Sequence, residues 1–174
     1  MANQEQLRDL LERNAKAVTL RPSVGQGTAT TRVHLKADLE CVVEEGPWKM
    51  VVGVGEKSGG NNAGPNPGIL GRGALGSCLA VGYAMWAARL GVPIQSLDVD
   101  VEADYDRRGE LGVSDDVPPG YTQVRYRVTV TSPAPEEDVR RMIDIADKYS
   151  PYRDVYARAH DIRRSDLTIR KSGD

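Results

Sequence analysis

The longest nearly uncharged run of this chain extends from Asn66 to Gly91 and carries a cysteine, Cys78, near its middle. Besides the cysteine and one tyrosine, Arg72 and Arg89 are its only ionisable residues. Its large apolar residues recur at helical spacing, which predicts a helix over residues 68–90. Small residues fill most of the remaining positions, and each glycine costs a helix roughly 1 kcal/mol relative to alanine. Tertiary packing must therefore stabilise it, so we expect a central, largely buried helix close to a second helix or another subunit.

Composition and charge exclude several classes of function. The formal net charge is -2, and no basic run is interleaved with aromatic residues, so we expect no nucleic-acid partner. Two cysteines and two histidines are too few and too scattered for a metal site, and we expect no cofactor. The N-terminus lacks a basic start followed by an apolar run, which argues against a secretory signal.

The long apolar run reaches the length of about 20 residues that a membrane span needs. Glycines and arginines interrupt it, so a buried core helix is the better interpretation and we expect no membrane partner. These features together predict a cytoplasmic protein whose thiols are normally reduced.

The N-terminal part of the chain changes from a helical to a strand periodicity. Apolar residues from Gln4 to about Val18 predict an amphipathic helix, so residues 1–22 are interpreted as a helical extension and residues 23–174 as a single domain. Between Gly27 and Val54 the period is two, with a turn at the sequence E-E-G-P. This region predicts an antiparallel meander.

The C-terminal part predicts more strands followed by helix. Residues 96–105 and 123–131 alternate apolar and charged residues, with acidic and basic outer faces that suit cross-strand pairing. Apolar residues up to Tyr105 are expected to face inward. A helix after Pro135, a short helical piece over residues 152–160 and a last strand over residues 166–170 complete a single α+β domain.

Cys78 has two interpretations, a small packed hydrophobe or a nucleophile. A thiolate attacks the O–O bond of a peroxide and becomes a sulfenic acid. That chemistry needs a lowered thiol pKa and a route for the substrate. The arginines at positions 72, 89, 125 and 127 are available as cations, and the sequence leaves open which of them reaches the sulfur. The other cysteine, Cys41, is interpreted as a buried small residue.

A family resemblance follows from the spacing around Cys78. The pair N-P at 66–67, followed eleven residues after the proline by Cys78 in G-A-L-G-S-C-L-A-V-G-Y-A-M-W-A, resembles the OsmC/Ohr family of osmotically inducible and organic hydroperoxide resistance proteins. The similarity continues through G-V-P-I-Q-S-L-D-V-D-V-E-A-D, P-G-Y-T-Q-V-R-Y-R-V, P-A-P-E-E-D-V and S-P-Y, and covers about residues 27–170.

The resemblance implies a fold and an activity. The fold is α+β, with antiparallel β-sheets wrapped around two central helices in an intertwined homodimer. The active sites of such a dimer lie at the subunit interface. The implied activity is reduction of organic hydroperoxides by a peroxidatic cysteine, which maps onto Cys78.

Three departures from the family pattern shape the functional hypothesis. Ser150 stands at the family's resolving cysteine, Gly68 stands at a glutamate that orients the active-site arginine, and that arginine has no clear match. We therefore expect a one-cysteine thiol-dependent peroxidase in which Cys78 reduces a hydroperoxide and an external thiol reductant restores it. The pocket or resolving-position candidates are Ser150, Cys41, Arg72, Arg125 and Gly68.

Two other functions remain open from the sequence. One is a non-catalytic dimer of the same fold that binds a small apolar ligand at the subunit interface. The other is a structural or interaction protein without a pocket function. Ligand-dependent thermal stabilisation that survives Cys78→Ser would favour the first of these.

Overall fold

The computed structural model describes residues 4–171. The first three residues of the predicted extension and the last three residues of the predicted domain, 1–3 and 172–174, lie outside the described residues. The described helices are α1 (Gln4–Leu20), α2 (Pro67–Leu90), α3 (Arg107–Glu110), α4 (Glu136–Lys148) and α5 (Pro151–Ala157). The strands are β1 (Arg32–Leu35), β2 (Cys41–Glu45), β3 (Trp48–Val52), β4 (Ser96–Tyr105) and β5 (Tyr121–Thr131). They form two antiparallel sheets, β1-β2-β3 and β4-β5. The α+β class is confirmed.

The first sheet is the predicted meander. Gly46 and Pro47 form the turn between β2 and β3. The β1–β2 connection places Asp38 and Leu39 at φ of 56° and 57°, a left-handed conformation that a leucine rarely adopts. Alternation along the strands gives this sheet one face that carries most of its charged residues and one face that is mostly apolar.

The second sheet packs against the central helix. Its register runs from Ser96 opposite Thr131 to Tyr105 opposite Tyr121. The predicted inward alternation of β4 holds as far as Ala103. For Tyr105 the prediction is wrong, because the register shifts between Asp104 and Tyr105 and the tyrosine side chain is 64% exposed.

Helix α2 is the centre of the core, as predicted. Its first turn is capped by Asn66, whose Oδ1 accepts the N–H of Ile69 at 3.0 Å, and its end is set by Gly91 at φ 69°. Helices α1, α4 and α5 and strand β4 all pack against it. The buried core consists of Leu75, Leu79, Tyr83, Ala87, Val92, Ile94, Met142 and Ala146. None of the helices within residues 4–171 is long and apolar enough to cross a membrane.

The predicted last strand over residues 166–170 is wrong for this structure. Residues 158–171 form neither helix nor strand, and the side chains of Leu167 and Ile169 are 63% and 81% exposed. A strand needs a neighbour that satisfies its backbone amides and carbonyls, and no strand within residues 4–171 pairs with this segment. The predicted helical piece before it is α5.

Candidate functional site

The candidate site lies where α2 meets the corner between α4 and α5. Cys78 is in the middle of α2 and half-buried, and Ser150 occupies the corner with 4% of its surface exposed. The Cys78 Sγ and Ser150 Oγ atoms are 3.9 Å apart. The structure therefore brings together the predicted nucleophile and the residue at the predicted resolving position.

The role of Ser150 as a helix cap determines what its hydroxyl can offer. Ser150 is the N-cap of α5, and its Oγ accepts the backbone N–H of Arg153 at 3.4 Å. Because the oxygen accepts in that bond, its own proton is free to point at the sulfur. Ser150 can thus donate a hydrogen bond to a Cys78 thiolate.

On its other side, Cys78 borders an exposed apolar stripe of α2. Val81 and Met85 lie about one and two turns further along the same face, and their side chains are 59% and 36% exposed. The thiol consequently sits between the protein interior and an open apolar surface.

Arg72 and Gly68 come together at the start of α2, but away from the sulfur. The Arg72 Nη1 donates to the hydroxyl of Tyr121 at 3.0 Å, and that hydroxyl donates to the carbonyl of Gly68 at 3.2 Å. A Cβ at position 68 would lie 3.3 Å from both Arg72 Nη1 and Tyr121 Oη. At Gly71, a Cβ would lie 3.1 Å from the hydroxyl of Tyr156. The two glycines therefore let phenol groups approach the helix closely, and a side chain at position 68 would require its neighbours to shift by a few tenths of an ångström.

The remaining two candidates lie on the two sheets. Arg125 pairs with Asp104 at 2.5 Å and Glu102 at 2.7 Å across the outer face of the second sheet. These carboxylates, Asp104 most strongly, raise the pKa of its guanidinium. Cys41 opens β2, and both cysteines are free thiols. Among the described residues, no hydrogen bond joins Cys78 to Arg72 or Arg125. Residues 4–171 also contain no cluster of three or more His, Cys, Asp or Glu that could hold a metal ion.

A polar network that runs from the buried Tyr83 to the exposed Arg153 was missed by the sequence analysis. The Asp147 carboxylate accepts the hydroxyl of Tyr83 on Oδ1 at 2.6 Å and that of Tyr126 on Oδ2 at 2.7 Å. The Tyr126 hydroxyl in turn accepts Arg153 Nε at 3.2 Å. Burial and the neighbouring carboxylate raise the pKa of Tyr83. The signal available in the sequence was a tyrosine at position 83, a large polar-tipped residue among the small residues of α2, since a buried tyrosine needs a partner for its hydroxyl.

The family model for OsmC-like proteins matches residues 59–163. The matched segment includes α2, the second sheet, α4, α5 and both residues of the Cys78–Ser150 contact. The chain belongs to the OsmC-like family. No curated protein matches it at a significant level.

Solved structures show the same fold at low identity. An OsmC-like protein from Mycoplasma pneumoniae is 15% identical, with a TM-score of 0.65 over 75% of this chain and 88% of that chain. An organic hydroperoxide resistance protein OsmC from Legionella pneumophila, described also as a predicted redox protein, is 13% identical, with a TM-score of 0.55 over 75% and 90%. An organic hydroperoxide resistance protein from Elizabethkingia anophelis is 13% identical, with a TM-score of 0.57 over 76% and 91%.

Proposed function

We propose that this chain is a thiol-dependent redox protein that reduces organic hydroperoxides through Cys78 and depends on an external thiol for its regeneration. The observation that carries the proposal is the 3.9 Å contact between Cys78 Sγ and a buried serine hydroxyl, beside an open apolar surface. Membership of the OsmC-like family supports a redox-related function in general. The fold neighbours described as hydroperoxide resistance proteins support the choice of substrate class.

The first step is oxidation of Cys78 by the hydroperoxide. The thiolate sulfur attacks the terminal peroxide oxygen, an S–O bond forms and the O–O bond breaks. The terminal oxygen is transferred with its hydrogen, so the sulfur, oxidised by two electrons, becomes a sulfenic acid directly, while the alkoxide leaves and takes one proton from solvent to become the alcohol. The Ser150 hydroxyl stabilises the attacking thiolate by donating to it, and the organic part of the substrate would occupy the pocket that dimer formation encloses beside the thiol.

The second step is reduction by two equivalents of a small thiol. The first thiol attacks the sulfenic sulfur, forms a mixed disulfide with Cys78 and releases water. The second thiol attacks the mixed disulfide, frees Cys78 and leaves as the oxidised disulfide. An external reductant is needed because Ser150, whose hydroxyl contacts the Cys78 sulfur, cannot form a disulfide. Cys41 lies on the separate three-stranded sheet.

A homodimer is part of the proposal, supported by apolar surface that the chain leaves uncovered. Along the meander, cross-strand partners place apolar side chains on one face, and within residues 4–171 no helix packs broadly against it. Its most exposed members are Val33, Leu35, Trp48 and Met50. A second copy is the occupant we propose for this face and for the stripe beside Cys78, because exposed apolar faces of this kind usually mark association sites. Such a dimer would place the thiol in an enclosed pocket at the subunit interface.

The test is stoichiometric oxidation followed by intact mass measurement. Purified protein treated with one equivalent of cumene hydroperoxide should gain the mass of one oxygen at Cys78. In a parallel sample, a sulfenic-acid reagent should trap the product. Later addition of a small monothiol to the untrapped sample should convert the sulfenic acid to a mixed disulfide and then to the free thiol. The Cys41→Ser variant is the matched control and should react normally, whereas Cys78→Ser should not react. Absence of oxidation at Cys78, with peroxide still present, would refute the proposal.

A further inference from the structure

We infer that the polar network of Tyr83, Asp147, Tyr126 and Arg153 is a positioning device that holds the Ser150 hydroxyl against the Cys78 thiol. We call it the tyrosine–aspartate network. The inference rests on the proposed function of Cys78 and assigns residues that do not touch the sulfur. Their effect is exerted through Ser150.

The network fixes the end of α4 on two sides. Asp147 lies in the last turn of α4, and each of its carboxylate oxygens accepts one phenol, Tyr83 from α2 and Tyr126 from β5. Tyr83 is fully buried, so the bond to it is shielded from water and its loss would leave a buried hydroxyl without a partner. Helix α4 is thereby tied both to the helix that carries Cys78 and to the second sheet.

The same network fixes the start of α5. Arg153 lies in the first turn of α5, and its Nε donates to the Tyr126 hydroxyl, the group that also binds Asp147. Ser150 is three residues after Asp147 and three residues before Arg153, so both flanks of the corner are anchored to one phenol. The backbone N–H of Ser150 also donates to the carbonyl of Asp147 at 3.4 Å. The corner that carries Ser150 thus has little freedom to move away from α2.

The chemical consequence is a directed hydrogen bond to the thiolate. A thiolate can only accept, and the Ser150 oxygen already accepts from Arg153 N–H, so the serine proton is the group available to the sulfur. A hydrogen bond to a charged acceptor is stronger than a hydrogen bond to a neutral acceptor, so the serine stabilises the thiolate more than the neutral thiol. Holding the donor in place therefore stabilises the thiolate form of Cys78.

The experiment measures alkylation of Cys78 by iodoacetamide as a function of pH, in a Cys41→Ser background so that one cysteine is present. It needs no hydroperoxide, so its outcome is independent of whether Cys78 reduces peroxides. The variants are Ser150→Ala, Asp147→Asn and the double variant. Asp144→Asn, an exposed carboxylate on the same helix, is the control for removing one charge from α4.

Ser150→Ala should slow alkylation at neutral pH about five-fold, the change in rate that corresponds to the loss of one typical hydrogen bond. Asp147→Asn should slow it by a similar factor, Asp144→Asn should not, and Ser150→Ala should add nothing in the Asp147→Asn background. If Asp147→Asn fails to fold, Tyr126→Phe, which keeps the Tyr83–Asp147 bond, takes its place. The inference would be overturned if Ser150→Ala kept its full effect in the Asp147→Asn or the Tyr126→Phe background. It would also be overturned if neither Ser150→Ala nor Asp147→Asn changed the alkylation rate.

Discussion

At the scale of the residue, the properties of Cys78 depend on its immediate neighbours. Its spacing from Pro67 made it the candidate nucleophile, and the structure adds a buried serine hydroxyl 3.9 Å away. Of the four arginines that the sequence offered, Arg72 binds Tyr121, Arg125 pairs with two carboxylates and Arg89 lies over the Trp86 ring. Among the described residues, no hydrogen bond joins the fourth, Arg127, to Cys78. Hydrogen bonding from Ser150, rather than a neighbouring cation in the same chain, is thus the means of stabilising the thiolate that the described residues provide.

The first prediction replaces the serine by a second thiol. In Ser150→Cys, oxidation by cumene hydroperoxide should yield an intramolecular disulfide with Cys78, because the side-chain atoms at the two positions already lie 3.9 Å apart and disulfides join residues whose Cα atoms are within about 7 Å. Peptide mapping without reduction detects it. The control is Ser114→Cys, an added thiol in the exposed loop after α3, which should stay free. Two free thiols at 78 and 150 after complete oxidant consumption would contradict the prediction.

The second prediction concerns alkaline pH. The pKa of Tyr83 is raised above its ordinary value of 10.0 by burial and by the Asp147 carboxylate, so in the unfolded chain this phenol ionises first. Its contribution to stability is complete below the unfolded pKa and declines as the pH rises through about 10. Urea unfolding should therefore show stability falling more steeply above pH 10 in the wild type than in Tyr83→Phe. Equal slopes for the two proteins would contradict it.

At the scale of the element, local pattern predicted most of the secondary structure, and long-range pairing accounts for the errors. The period of α2 and the alternation in β4 are properties of their own residues, so their positions could be predicted. Whether residues 166–170 form a strand depends on a neighbour that no local pattern specifies. Likewise, the 3.9 Å contact joins residues 72 positions apart. The family resemblance related Ser150 to a resolving position, whereas the tyrosine–aspartate network had no sequence signature beyond Tyr83.

The third prediction tests the strained turn between β1 and β2. Leu39 adopts φ 57°, a conformation that costs an L-residue roughly 1–2 kcal/mol. Glycine avoids this cost, but its freer unfolded state offsets roughly 0.5–1 kcal/mol of the gain. Leu39→Gly should stabilise the fold by about 1 kcal/mol and create the favoured Asp-Gly hairpin turn. The matched control is Leu111→Gly, an exposed leucine at φ -83°, which should not gain stability. Thermal unfolding distinguishes the two, and a loss of stability in Leu39→Gly would contradict the account.

At the scale of the whole molecule, two uncovered apolar surfaces favour association with a partner. One is the face of the meander, and the other is the stripe of α2 that includes Val81 and Met85. Burial of apolar surface contributes about 25 cal/mol per Å². A second copy that covers both surfaces would therefore stabilise the folded chain. Folding, dimer formation and enclosure of the thiol are coupled in this account.

The fourth prediction is that Val81→Glu disrupts the dimer. A buried carboxylate without a partner is costly, so sedimentation velocity should show the wild type as a dimer and Val81→Glu as a monomer at micromolar concentration. The control is Val113→Glu, the same change at a side chain that is 71% exposed in the loop after α3, which should remain dimeric. A monomeric wild type, or a dimeric Val81→Glu, would contradict the proposed assembly.

The most direct test of the central claim is the rate at which cumene hydroperoxide oxidises Cys78. Stopped-flow measurement in the Cys41→Ser background gives the second-order rate constant, with N-acetylcysteine at the same pH as the reference thiol. An ordinary thiol has a pKa of about 8.5 and is mostly protonated at neutral pH, so a thiolate stabilised by Ser150 and supplied with substrate from an apolar surface should react about ten-fold faster or more. A rate constant equal to that of N-acetylcysteine would show that the protein does not activate Cys78 and would contradict the account.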